Sequence, residues 1–196
     1  MSDNSEIPKE SVKSFMDRVN SSYSGAVIKA SGTSHGGLVV RRFSSGILSL
    51  DCALGGGWPF SRIALVAGEE STGKTLLTLK AAETIQDYDT HTHLHRSRVQ
   101  SFEPCKTLFV DVEHSFDEIW AKAHGWSSDN AIVQPETAEQ AIDITTEAIR
   151  ANLFDLIIVD SIAALTPSKE IEESSEDFQV GLGARLTNKA FRRWTA

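Results

Sequence analysis

One eight-residue run, Gly68-Glu69-Glu70-Ser71-Thr72-Gly73-Lys74-Thr75, constrains this chain more than any other stretch. It fits G-x-x-x-x-G-K-[ST] at every fixed position. A loop that wraps a row of phosphates must turn several backbone N–H groups inward, and glycines at both ends permit the backbone angles and the close approach. Lys74 adds a point charge for the β- and γ-phosphates, and the Thr75 hydroxyl is suited to Mg2+. The flanks agree. Residues 63–67, Ile-Ala-Leu-Val-Ala, read as a short apolar strand and residues 76–82 as a helix, which places the loop between the two.

The rest of the chain repeats that alternation. Strands are expected at 107–112, 131–133 and 156–160, and helices at 115–124, 137–152 and 182–194. Thr137 and Gln140 make a capping box for the second of these helices. The strand Leu156-Ile157-Ile158-Val159-Asp160 is apolar up to its last residue, so burial on both faces is expected. Strands alternating with helices imply an α/β fold with a mostly parallel sheet. Ahead of it, Val12, Phe15, Met16 and Val19 recur at helical spacing within residues 8–22, residues 26–28 suit a strand, and residues 31–37 form a Ser/Gly-rich connector. The expected division is an N-terminal arm and linker, 1–37, and a core, 38–196. Within the core, residues 38–40 suit a strand, and a short helix around Leu50, Ala53 and Leu54 is ended by Gly55-Gly56-Gly57.

Composition limits the partners. A net charge of −8 argues against nucleic acid held by overall charge, though not against a local basic patch. No apolar run approaches the roughly 18–20 residues that cross a bilayer, and the acidic start is unlike a secretory signal. A cytoplasmic protein without a membrane partner is expected, with Cys52 and Cys105 reduced.

A phosphate loop needs a second acid to hold Mg2+, directly or through water. Asp160 ends an apolar strand, where its carboxylate emerges beside the phosphates. Hydrolysis also needs a carboxylate to orient or deprotonate water. Glu113, just past another strand, is in the right kind of place; the plain alternative is a helix-capping acid. Residues 86–106 break the αβ rhythm with a polar insertion. His91, His93 and His95 would share one face of a strand, as a metal site requires, but no cysteine or catalytic motif accompanies them. A solvated surface insertion is the reading.

Several segments carry a family resemblance. Residues 45–55 followed by 68–75 resemble the nucleotide-binding core of the bacterial RecA recombinases. Phe109-Val110-Asp111-Val112-Glu113-His114-Ser115-Phe116-Asp117 is similar to that family's catalytic-glutamate strand. Residues 159–167 are similar to its Mg2+-binding aspartate strand, and Gly181-Leu182-Gly183-Ala184-Arg185-Leu186 to the end of its first DNA-binding loop. The resemblance implies a RecA-like P-loop NTPase core that uses ATP and Mg2+. Catalysis would rest on Glu113, Lys74 and Asp160, and Mg2+ on Thr75 and Asp160. ATP would be held by Gly68, Glu69, Glu70, Ser71, Thr72, Gly73, Lys74 and Thr75, with Asp117 at the adenine amino group and Trp120 stacked on the ring, where the family usually has tyrosine. Residues 172–181 would be the first DNA loop, with Gly181 and Arg185 as DNA contacts.

The activity so implied is DNA-dependent ATP hydrolysis. It would serve homologous pairing and strand exchange on single-stranded DNA in recombination, repair and the SOS response to DNA damage. Partners would be single-stranded DNA and other recombinase protomers, its own or full-length, in a filament. The family continues past the last helix into a strand lying between the phosphate-loop strand and the Asp160 strand. That strand and the C-terminal domain are absent from these 196 residues. A truncated or split-gene fragment, incomplete at the centre of its sheet, is therefore expected. The alternative is a module without ATPase activity that docks on recombinase filaments through its arm.

Overall fold

The burial pattern of the central strand explains the architecture. Every residue of β3 (Thr107–Asp111) is buried, which requires helices on both faces and a strand on either side. The computed structural model describes residues 40–165 and 182–195, with Ser14, Arg18, Ser21 and Ser22. β3 is flanked in parallel by β4 (Ala131–Val133) and β5 (Leu156–Asp160), in the order β4-β3-β5. One face is covered by α2 (Lys74–Ile85) and α3 (Glu118–Ala123), whose Leu79, Ala82 and Ala121 pack with Phe109 and Ile158. The other face carries α4 (Ala138–Ala151), whose Ala138, Ala141 and Ala148 meet Leu108 and Val110. α5 (Leu182–Trp194) joins this layer through Leu186. Its Trp194 indole N–H donates to Thr146 Oγ1 at 3.2 Å, and Arg193 reaches Asp143 at 2.7 Å. The result is the α/β arrangement with a parallel sheet that the sequence predicts.

Local signals account for most boundaries. The Thr137 hydroxyl accepts the Gln140 amide at 3.2 Å, opening α4 as expected, although the Gln140 side chain turns back to the Glu136 amide. Gly55 takes the left-handed conformation that ends α1 (Leu48–Leu54). Asp51, on α1, accepts the Ser44 and Ser45 hydroxyls and the Ser45 amide at 2.5–2.7 Å. Burial works to raise its pKa, but these three donors together outweigh it and lower the pKa overall.

Three expectations fail. Residues 63–67 form no strand, and Ile63 and Leu65 are 47% and 73% exposed. β5 ends the sheet, with no strand on its outer side among the described residues, and only Ile158 of its five residues is fully buried. The causes are linked. An apolar run becomes a strand only when a neighbour takes its N–H and C=O groups; among the described residues, 63–67 has no such neighbour and β5 has one on its β3 side alone. Nor is residue 40 in a strand: the short β1 (Arg42–Phe43) follows it and pairs antiparallel with β2 (Trp58–Pro59).

The insertion is more than a solvated loop. Its Tyr88 and Cys105 pack with Phe43, Phe60 and Ile85 in a third cluster. Asp89 is buried and its pKa falls to about 2, because it accepts the Glu103 amide, the Thr92 hydroxyl and the Thr92 amide against the opposing effect of burial. His93 has a positive φ and stacks on Phe60, and no metal-binding cluster forms among the described residues. Both cysteines are free; burial first, then Asp155 and Asp89, push the Cys105 thiol pKa up. The chain divides into two compact units, 1–39 and 40–196. Of the arm, Ser14, Arg18, Ser21 and Ser22 are helical; the strand at 26–28, the connector at 31–37 and the DNA loop at 172–181 lie outside the described residues.

Candidate active site

The site forms where α2 begins and where β3 and β5 end. Gly73 (φ 88°) and Ser71 (φ 59°) put the phosphate loop in the left-handed turns that aim successive N–H groups at one point. The N–H groups of Glu70, Ser71, Thr72 and Gly73 make no hydrogen bond to protein among the described residues. They lie at the start of a twelve-residue helix, whose dipole adds partial positive charge. The Thr72 hydroxyl donates to Glu69 O at 2.8 Å and closes the turn. Lys74 Nζ folds over it, donating to Gly68 O at 3.0 Å and Glu69 O at 2.7 Å. Unpartnered donors and a lysine around an exposed loop fit a polyphosphate.

Two carboxylates converge on the same corner. Thr75 Oγ1 donates to Asp160 Oδ2 at 2.7 Å, joining the first turn of α2 to the end of β5. The Val112 amide donates to Asp160 O at 2.8 Å, extending the β3–β5 ladder past the strand end. Ser161, after a cis peptide, donates its hydroxyl to Glu113 Oε1 at 2.5 Å. Thr75, Asp160, Ser161 and Glu113 thus form one polar corner. A hydroxyl and a carboxylate fit Mg2+, which takes one or two protein ligands and completes its shell with phosphates and water.

Asp117 and Trp120, the residues expected at the adenine, both stand at the start of α3. Asp117 caps α3, accepting the Trp120 amide at 2.9 Å. Trp120 is 39% exposed, and its ring centroid lies 4.4 Å from that of His124. Ala121, beside it, packs with Leu79 of α2, so α3 flanks the helix that carries the phosphate loop. No hydrogen bond or ring contact joins Asp117 or Trp120 to residues 68–75 among the described residues.

Sequence reasoning missed Ser161, because a serine after an aspartate carries no signal until β3 and β5 are adjacent. It also missed Asp111, which is buried and accepts the Ser115 and Phe116 amides at 3.1 and 3.0 Å, holding the chain leaving β3 toward Asp117. A second feature stands on the α4–α5 face. Arg150, Arg185, Lys189, Arg192 and Arg193 line a cavity of about 600 Å3. Arg185 alone was expected there. Arg185, Lys189 and Arg192 stand at i, i+4 and i+7, a helical spacing legible in the sequence, whereas Arg150 joins them only through packing. Gly181, the other expected DNA contact, lies outside the described residues.

Comparison with known proteins gives a consistent result. A family profile described as the RecA N-terminal domain matches residues 10–196. The DNA repair protein recA homolog 1, chloroplastic, of Arabidopsis thaliana is 39% identical over 186 residues, covering 94% of this chain and 39% of that protein. A Protein RecA of Prochlorococcus marinus is 43% identical over 157 residues, covering 80% of this chain and 38% of that protein. Protein RecA of Borreliella afzelii is 42% identical over 173 residues, 87% and 43% of the respective lengths. The chain spans about two fifths of the length of these curated relatives.

Proposed function

The chain belongs to the RecA family, and from that premise we propose that it is the ATP-binding part of a recombinase that assembles on single-stranded DNA and hydrolyses ATP. The observation that carries this reading is the 2.7 Å bond between Thr75 and Asp160, which brings the phosphate loop and the strand-end acid together across 85 positions of sequence. The loop N–H groups and Lys74 bind the phosphates, Lys74 giving up its bonds to Gly68 O and Glu69 O as it does so. Thr75 and Asp160 would hold Mg2+, directly or through water, and the metal would supply charge neutralisation at the phosphates. Glu113 accepts a proton from the attacking water, and the Ser161 hydroxyl fixes the direction of that carboxylate. Asp117 and Trp120 serve the adenine. DNA phosphates meet the basic cavity that contains Arg185, which supplies locally the positive charge that a net −8 denies the whole chain.

A second reading is favoured by the exposed Ile63 and Leu65 and by the outer edge of β5, which no strand among the described residues covers. Both are surfaces that a further strand covers, supplied by more of a longer polypeptide or by another protomer. In that reading this chain is a module that docks on recombinase filaments and does not turn over. One experiment separates the two. ATP hydrolysis by the purified chain with and without single-stranded DNA is compared with that of Glu113→Gln. DNA-stimulated turnover that Glu113→Gln abolishes supports the first reading. No turnover, with co-sedimentation on recombinase filaments, supports the second.

A further inference from the structure

The 86–106 insertion forms a second basic site that the ATPase reading does not use. Together with β1 it encloses a cavity of about 550 Å3, inside the range of about 300–1,000 Å3 usual for ligand pockets. Arg41, Arg42, Arg98, His93, His95 and Tyr88 line it, and no carboxylate does. The surrounding acids are engaged elsewhere. Asp87 pairs with Arg96 at 3.3 Å, Glu103 with His91 at 3.1 Å, and Asp89 is occupied by its own three donors. Asp155 lies 3.6 Å from His93 and accepts the Thr90 hydroxyl.

The walls are built rather than loose. Arg41 Nη1 donates to Thr92 O and Arg42 Nη1 to Gly57 O at 2.9 Å, which fixes two guanidinium groups; their other N–H donors make no hydrogen bond among the described residues. His93 is held flat against Phe60, with centroids 4.4 Å apart. His95 stands edge-on to Tyr88 and bonds Ser97. Arg98 is exposed, and its side chain makes no hydrogen bond or ion pair among the described residues. Three guanidiniums with no acid among them are the donor set for phosphate oxygens, which they bind in a fork. The histidine rings and the half-exposed Leu94 beside them offer apolar surface for a base.

We propose that this pocket binds the phosphodiester backbone of a nucleic-acid strand, independently of the nucleotide site. The two sites lie at opposite ends of the sheet. Asp155 and Lys106, at the pocket's end, precede β5 and β3, whereas Asp160 and Glu113 follow them. Five strand residues separate the ends, about 16 Å at 3.3 Å per residue. The site is also separate from the α5 groove, since none of its lining residues is shared.

The test uses the full chain and fluorescence anisotropy of a labelled single-stranded oligonucleotide over a range of salt. It is run on Arg185→Glu, which weakens the α5 groove and leaves it the same in both variants, and on Arg185→Glu with Arg98→Glu. The expected result is a weaker affinity in the second variant and a salt slope shallower by about 0.7 per lost phosphate contact. Binding of a fluorescent ATP analogue, in which Arg98 has no part, stays unchanged and reports that the chain is folded. Amide NMR shifts at Ser97 and Arg98 on adding the oligonucleotide give a local readout that does not depend on the substitution. Equal affinity and slope in the two variants overturns the proposal. Shifts that inorganic phosphate produces and the oligonucleotide does not also overturn it, since they assign the pocket to a free anion. Loss of ATP hydrolysis in Glu113→Gln leaves this test untouched.

Discussion

Replacing Thr75 by valine probes the corner where the phosphate loop meets β5. The side chain keeps its branched shape and loses only the hydroxyl that donates to Asp160 Oδ2 at 2.7 Å. Without nucleotide, the half-buried Asp160 carboxylate is left short of a donor. A hydrogen bond to a charged group contributes about 1.5–3 kcal/mol, so urea denaturation should register a loss of that order. The double cycle with Asp160→Asn should return most of it as coupling. Nucleotide affinity should respond differently in two media. In EDTA the hydroxyl has no partner on the phosphates, and the variant binds a fluorescent ATP analogue as the parent does. In Mg2+ one protein ligand is gone, and the affinity gained from the metal should fall by roughly 10- to 100-fold, the scale on which metal sites respond to losing a supporting group. If Mg2+ strengthens binding equally in parent and variant, Thr75 is not a metal ligand and the pairing with Asp160 is only structural.

Ser161→Ala removes the 2.5 Å bond that holds Glu113 and should lower kcat about tenfold, with nucleotide affinity unchanged in titration. An unchanged kcat would mean that Glu113 needs no such support. Gly57→Ala should destabilise the core unit by about 2–5 kcal/mol in denaturant melts. That range combines about 1–2 kcal/mol for a side chain at positive φ with about 1–3 kcal/mol for overpacking. At φ 97° the added Cβ would collide with the backbone carbonyl of Phe43, and wild-type stability would refute that packing. Asp89 sets an acid limit. Its pKa is 3.8 unperturbed and about 2 in the fold, so the stability it contributes is complete above about pH 4 and is lost as pH falls toward 2. Acid titration followed by circular dichroism should show Asp89→Asn less stable than the parent at neutral pH and flatter across that window.

Much of the core was legible because its signals are local. The phosphate loop is written in eight consecutive residues. The amphipathic period and Thr137 defined α4 to within a residue. α2, β3, β5 and α5 followed from runs long enough for one periodicity to dominate. The base-binding pair was harder to judge. Asp117 has an immediate structural use as the cap of α3, and a cap and an adenine contact look alike in sequence.

Read residue by residue, the chain already carries the phosphate-loop sequence pattern and candidate acids at two strand ends. Which of those groups meet is settled only by folding. Thr75 and Asp160 stand 85 positions apart, and Ser161 and Glu113 stand 48 apart, so only the parallel packing of β3, β5 and α2 makes them a corner. The same packing gathers Arg150 with the arginines of α5, and Arg41 and Arg42 with Arg98. It also rules against a strand at residues 63–67. A helix closes its own hydrogen bonds and is visible in the residues that form it, but a strand exists only when its edge is shared, and whether a partner lies alongside is a property of the fold.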